Sequence, residues 1–183
     1  MTAEDAPASA YDMGHAVEAE NLATFAVLVD NEPGVLHRVV GLFAARGYNI
    51  ESLTVAETDA AAHTSRITIV TRGTPHVLAQ IEAQLQKLVS TRHVQNVTKD
   101  PNGAERELAL VKVRGEGAHR VEALRLADIF RAKVIDTTTA SFIFEITGAP
   151  GKIDKFVDLM RPLGLVEVSR TGVLSIERGV ETL

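Results

Sequence analysis

The sequence predicts an α+β protein made of two tandem βαββαβ units, a ferredoxin-like arrangement used twice. Three observations carry that expectation. Short runs rich in Val, Ile and Leu alternate with longer stretches whose apolar residues recur at helical spacing. Gly73-Thr74-Pro75 and Gly148-Ala149-Pro150 each open a helix just after a strand ending in Thr, and the two prolines lie about one unit length apart. Between the repeats, Asp100-Pro101-Asn102-Gly103 is turn chemistry without apolar content, which places a boundary there.

In order, Leu22 to Val29 reads as the first strand. Asp30-Asn31-Glu32-Pro33-Gly34 is a turn, with Pro33 suited to the first turn of the helix that follows. Val35, Leu36, Val39, Val40, Leu42 and Phe43 mark one face of that helix, and Gly47 is placed to end it. Ile50 to Ala56 is a second strand, Glu57 to Thr64 a turn and Arg66 to Thr71 a third strand, so the two strands form a hairpin. A helix from Pro75 carries Val77, Leu78, Ile81, Leu85 and Leu88, and Val94 to Thr98 closes the unit. The pattern restarts with a strand over Leu108 to Val113 and a helix over Glu116 to Arg131. Strands at Lys133–Thr137 and Ser141–Thr147, a helix over Pro150–Met160 and a last strand over Val166–Glu177, bent at Gly172, complete the second unit.

Composition narrows the function. Apolar residues make up 45% of the 183, which is enough for real cores, and aromatics only 4%, so those cores are expected to be aliphatic. The absence of cysteine excludes disulfides, thiolate metal sites and a thiol nucleophile, and fits a cytoplasmic location. No apolar run reaches the roughly 18–20 residues of a membrane span, and the acidic N-terminus does not resemble a secretory signal. Residues 1–20 hold Glu4, Asp5, Asp12, Glu18 and Glu20 without Lys or Arg, which accounts for the net charge of −5; they read as a disordered acidic tail. The rest of the chain is neutral, unlike a nucleic-acid-binding surface.

Catalytic chemistry finds no foothold. There is no Gly-x-Ser-x-Gly elbow, and His37, His63, His76, His93 and His119 are scattered singly, away from metal-ligand spacing. Gly115-Glu116-Gly117 lacks the third glycine of a phosphate-binding loop and reads as a strand-to-helix turn. No carboxylate pair sits in an apolar setting suited to general acid–base work.

The sequence does carry the parts of a small-acid site. Gly34 leaves the backbone bare where the free amides of a helix start point outward, and such amides attract a carboxylate. Asn31 and Asn49 can both donate and accept hydrogen bonds, and Val35, Leu36 and Ile50 offer aliphatic surface. Asn31 equally suits a helix cap and Asn49 a turn, so residue types alone leave both readings open.

Asn31-Glu32-Pro33-Gly34-Val35-Leu36, Gly41-Leu42-Phe43 and Arg46-Gly47-Tyr48-Asn49-Ile50-Glu51-Ser52-Leu53 closely resemble the small, regulatory subunits of acetolactate synthase (acetohydroxyacid synthase). The likeness is dense from Leu22 to Leu88 and looser to the C-terminus. It implies an ACT domain over residues 21–100, serving effector binding and homodimerisation, and a C-terminal ferredoxin-like domain over 105–183. In that family two ACT domains pair side by side with valine at the seam. The resemblance puts Asn31, Gly34, Val35 and Leu36 of one chain opposite Asn49 and Ile50 of the other, with Ala56 and Gln80 nearby. His37 departs from the small residues usual there. The resemblance further implies a non-catalytic chain that holds no cofactor or metal and takes part in valine, leucine and isoleucine biosynthesis. It would activate a large catalytic subunit carrying thiamine diphosphate, magnesium and FAD, and confer feedback inhibition by valine. A free-standing ACT regulator of another enzyme, and an enzyme in its own right, are the alternatives.

Overall fold

A computed structural model of the chain describes residues 19–99 and 103–180. Most of the expected acidic tail, and Asp100 to Asn102 of the expected boundary turn, lie outside those residues. The first unit runs β1 (Asn21–Asp30), α1 (Val35–Arg46), β2 (Ser52–Asp59), β3 (Thr64–Gly73), α2 (Pro75–Leu85) and β4 (Thr91–Asn96). The second repeats it as β5 (Gly103–Arg114), α3 (Gly117–Phe130), β6 (Lys133–Thr137), β7 (Ser141–Gly148), α4 (Pro150–Met160) and β8 (Leu165–Arg170), then adds β9 (Leu174–Glu177). The sheet orders are β2-β3-β1-β4 and β6-β7-β5-β8, antiparallel throughout. Both units therefore have the βαββαβ topology expected from sequence.

Each unit buries its helices against one face of its sheet. Alternation along β1 sends Ala23, Phe25, Val27 and Val29 into the helix layer, where they meet Val39 and Phe43 of α1 and Ile81 and Leu85 of α2. Thr74 caps α2 by accepting from the Val77 amide at 3.4 Å, with Pro75 in the first turn. The second core differs from the aliphatic core expected. Four of the six phenylalanines gather there: Phe144 stacks at 5.4 Å on Phe142 and meets Phe156 edge-on at 6.0 Å, and Phe156 lies 5.4 Å from Phe130.

The opposite face of the first sheet is also dry. Thr24, Ala26, Thr68 and Val70 point away from the helices yet are only 0–4% exposed. Their cover comes from the second unit. The first four residues of β5 pair with β9, from Gly103↔Glu177 to Arg106↔Leu174, and this two-stranded ribbon lies across the sheet. Thr54 Oγ1 donates to the Val173 carbonyl at 3.2 Å and the Val173 amide donates to Ser52 Oγ at 3.1 Å. Arg66 Nη2 donates to the Ser175 carbonyl at 2.8 Å, and Gln95 Nε2 to Glu177 Oε2 at 2.9 Å. Burial beneath the ribbon draws the Arg66 guanidinium below its ordinary pKa.

One strand thus serves both sheets. From Glu107 onward β5 pairs with β7, and from Ala109 with β8. Strand β5 starts five residues before the apolar run Leu108–Val113, because Gly103 to Glu107 pair as a strand without contributing to a helix-facing core. β4 likewise starts earlier than expected, at Thr91, and gives way to one turn of 3-10 helix over Val97–Lys99. The last expected strand divides at its bend into β8 and β9, and the pairing against β5 slips by one residue across Thr171–Val173, a bulge.

Glu107 sits where β5 passes from one sheet to the other, with its side chain only 3% exposed. Arg170 clamps it with two bonds of 2.8 and 2.5 Å and also holds Asp154 at 2.6 Å. The Glu107 hydrogen bonds, with help from Asp154, hold the Arg170 guanidinium well above its ordinary pKa. Removing the arginine leaves a buried carboxylate without its partner. Arg170→Met is therefore expected to cost about 3 kcal/mol in urea unfolding of the full chain, and adding Glu107→Gln to recover more than half of it.

Candidate functional site

The loop between β1 and α1 is held from three sides. The Asn31 amide donates to the His63 carbonyl at 2.7 Å, tying the loop to the β2–β3 turn, where Asp59 Oδ1 accepts from Ala61 and Ala62. The Asn31 side chain donates to Glu57 Oε1 at 3.1 Å. Arg38 reaches back from α1 to Glu32 Oε2 at 3.2 Å and Ser90 Oγ at 2.6 Å, while Arg92 Nε grips Asp30 Oδ1 at 2.6 Å.

Gly34 then turns the chain into the helix. It sits at φ +86°, in the left-handed region where a side chain is strained. Helix α1 begins at Val35, so Pro33 lies in the preceding turn and not in the first helical turn expected of it. The Val35 amide is taken by the Glu32 carbonyl at 3.2 Å, and no side chain caps the helix. The open donors of the first turn therefore sit beside the bare α-carbon of Gly34. Leu36 is 39% exposed there, whereas Val35 points inward and belongs to the core.

The other expected residues lie elsewhere. Asn49 follows the far end of α1; its side chain donates to Glu51 Oε1 at 3.0 Å and its carbonyl accepts from Thr71 Oγ1 at 2.6 Å. Ile50 packs half-buried against the core. Gln80 on α2 accepts from the Tyr48 hydroxyl at 3.4 Å and pairs with His76 Nε2 at 2.9 Å. Ala56 is exposed on β2, opposite Arg66 of β3. A 12-residue helix is roughly 18 Å long, so Asn31 and Gly34 stand that far from Asn49 and Ile50 within one chain. Asn31, Gly34, Val35 and Leu36 thus form a loop group, Asn49, Ile50 and Gln80 gather toward the opposite end of the sheet, and Ala56 lies on the strand between.

Strand β2 runs between those groups, and it is an edge strand paired only with β3. Its exposed residues include Val55, 44% accessible, and Ala56. An antiparallel edge that meets its own copy across a two-fold axis sets the start of one strand beside the end of the other. Sequence reading placed Glu57 in a turn and so missed it; the strand continues to Asp59 and puts the Glu57 carboxylate beside Asn31. The period of two through Leu53 and Val55 was the available signal.

Residues 25–93 match the family described as AHAS small subunit-like ACT domain, and residues 106–179 match the family described as small subunit of acetolactate synthase. A probable acetolactate synthase small subunit of Archaeoglobus fulgidus is 47% identical over 156 residues, covering 85% of this chain and 96% of that one. The chain belongs to the acetolactate synthase small-subunit family. The isozyme 3 small subunit of Escherichia coli is 46% identical over 154 residues, covering 84% of this chain and 93% of its own length. The crystal structure of the Thermotoga maritima acetolactate synthase small subunit superposes with a TM-score of 0.78 at 38% identity, covering 88% of this chain and 99% of that one. Membership gives the chain a regulatory role in acetolactate synthase and hence in branched-chain amino acid biosynthesis. Among the described residues no helix is long and apolar enough to cross a membrane, and no three His, Asp or Glu side chains gather as a metal site.

The strain at Gly34 can be measured. An added Cβ meets only Arg38 Nη1, at 3.9 Å, so Gly34→Ala is expected to fold but to lose about 1–2 kcal/mol in urea unfolding from the backbone angle alone. Gly41, inside α1 with nothing within 4 Å, is the control: Gly41→Ala is expected to gain about 0.5–1 kcal/mol in the same measurement.

Proposed function

We propose that this small subunit senses valine at a seam between two copies of itself and passes that signal to a large catalytic subunit. The observation that carries the reading is the separation of the site residues into two groups at opposite ends of the first sheet, joined by an open edge strand. Two chains pairing through β2 bring the Asn31–Gly34 loop of one to Asn49 and Ile50 of the other. A free α-amino acid fits what that seam offers. Open amides of α1 take the carboxylate, Asn31, Asn49 and Glu57 supply oxygen acceptors for the ammonium, and Leu36 and Ile50 supply apolar surface for a branched side chain.

The large subunit holds the thiamine diphosphate, magnesium and FAD and does the chemistry; this chain binds no cofactor. Valine acts only as far as it prefers one arrangement of the paired chains over another. A pocket made from two chains has that preference built in, because its shape is the dimer geometry. Binding of the small subunit raises large-subunit activity, and valine stabilises an arrangement that withdraws the stimulation.

Asn49→Ala removes one polar partner of a charged ligand group, worth about 1.5 kcal/mol. The expected outcome is stimulation of acetolactate formation as in the native complex, with at least about a tenfold rise in the valine concentration giving half inhibition. Lost stimulation with an unchanged valine response would place the effector elsewhere. One added methylene is worth roughly 1–3 kcal/mol, so leucine is expected to bind the same seam more weakly than valine. Calorimetry on the full-length chain should show one valine per chain, displaceable by excess leucine; leucine binding alongside bound valine would refute a shared site.

A further inference from the structure

We propose that the corner Thr171–Val173 and strand β9 are the coupling element that carries the state of β2 into the second unit. The inference rests on the valine-seam reading and goes beyond it by naming the regulatory route. Strand β2 has two faces with different neighbours. Leu53 packs toward the helix layer, whereas Ser52 and Thr54 point to the other side, where Ser52 Oγ accepts from the Val173 amide at 3.1 Å and Thr54 Oγ1 donates to the Val173 carbonyl at 3.2 Å. Two hydroxyls, two residues apart, thus hold both main-chain polar groups of a single residue of the other unit.

Val173 is 7% exposed, so water cannot readily replace either bond. An unpaired buried backbone group costs as much as a lost hydrogen bond, and two are at stake together. If β2 moves along its single ladder, Val173 must move with it. The fit is close on this side: a Cβ on Gly172, which sits at φ +83°, would lie 2.5 Å from Ser52 Oγ and 3.0 Å from Thr54 Cγ2.

The far end of the corner is equally well tied. Thr171 donates its amide to the Leu108 carbonyl at 3.0 Å, and its hydroxyl accepts from the Leu108 amide at 3.1 Å. The next residue back is Arg170, clamped to Glu107 and to Asp154 of α4. A displacement of β2 therefore passes through Val173 and Thr171 to β5 and α4. A cavity of about 470 Å³, lined by Ser52, Leu53, Glu105, Arg170 and Gly172, borders the corner and gives it room to shift. The segment Asn49–Ser52 joins the proposed valine seam to this contact within four residues of chain.

The test is hydrogen–deuterium exchange on the full-length chain, with valine binding followed by calorimetry and valine inhibition measured on the complex with the large subunit. Valine is expected to change the exchange of the Val173–Glu177 amides at least fivefold. The double variant Ser52→Ala, Thr54→Val is expected to bind valine within threefold of the native affinity, to lose that exchange change, and to need at least tenfold more valine for half inhibition. Thr54→Ser keeps the hydroxyl and is expected to retain all three properties. If valine binds the native chain and leaves β9 exchange unchanged, the coupling is wrong while the seam stands. Full inhibition retained by a folded double variant overturns it too. If valine does not bind the native chain, the seam reading falls and takes the coupling with it.

Discussion

A four-stranded sheet with both helices on one side has a second face that must be covered or polar, and the first unit of this chain cannot cover its own. Thr24, Ala26, Thr68 and Val70 line that face and are dry only because the β5–β9 ribbon lies on them. Most of the design follows from this. The ribbon needs a strand long enough to pair with β9 over its first four residues and with β7 and β8 over the rest, which is why β5 has 12 residues. The crossing point between the two jobs falls at Glu107, where the buried carboxylate requires Arg170. The two units share a core boundary as well as a chain, so a change at the face of one is felt by the other.

The ribbon is also the part of the fold least visible in the sequence. β1 announces itself because its odd-numbered residues, Ala23 to Val29, pack on helices and repeat every second position. Gly103 to Glu107 carry no such pattern, since what they supply is backbone pairing, with the Glu107 carboxylate directed at Arg170. A strand that covers another sheet with its main chain reads as a loop when apolar period is the guide. Gly172 was legible as a bend because glycine in a strand marks a bulge or a close approach; here it is both. The clustering of Phe130, Phe142, Phe144 and Phe156 in one core could not be read from a low overall aromatic content, because composition does not say how a rare residue is shared between units.

The turn into α1 was legible as a turn, and its detail was not. Gly34 declared a special backbone position and the structure gives it φ +86°, yet Pro33 lies two residues ahead of the first helical residue, Val35. Local propensity fixes which residues bend the chain; the bond from the Val35 amide to the Glu32 carbonyl decides where the helix begins. Asn31 and Asn49 looked alike as polar residues in turns. The helix expected between Gly34 and Gly47 already set them apart, and α1, at 12 residues, places them at opposite ends of the unit.

That separation has a consequence for regulation. A site complete within one chain binds its ligand whatever the neighbours do, and any signal must then be built from a secondary change. A site split between the ends of an edge strand binds only in one relative placement of two chains, so affinity and quaternary geometry are a single quantity. Strand β2 is well suited to carry such a dependence. It is held by one ladder instead of two, its outer edge is open, and its inner hydroxyls grip the ribbon of the second unit. In the proposed dimer, the strand that meets a second copy would be the strand that the rest of its own chain is fastened to, and a small amino acid at its ends would act on both attachments at once.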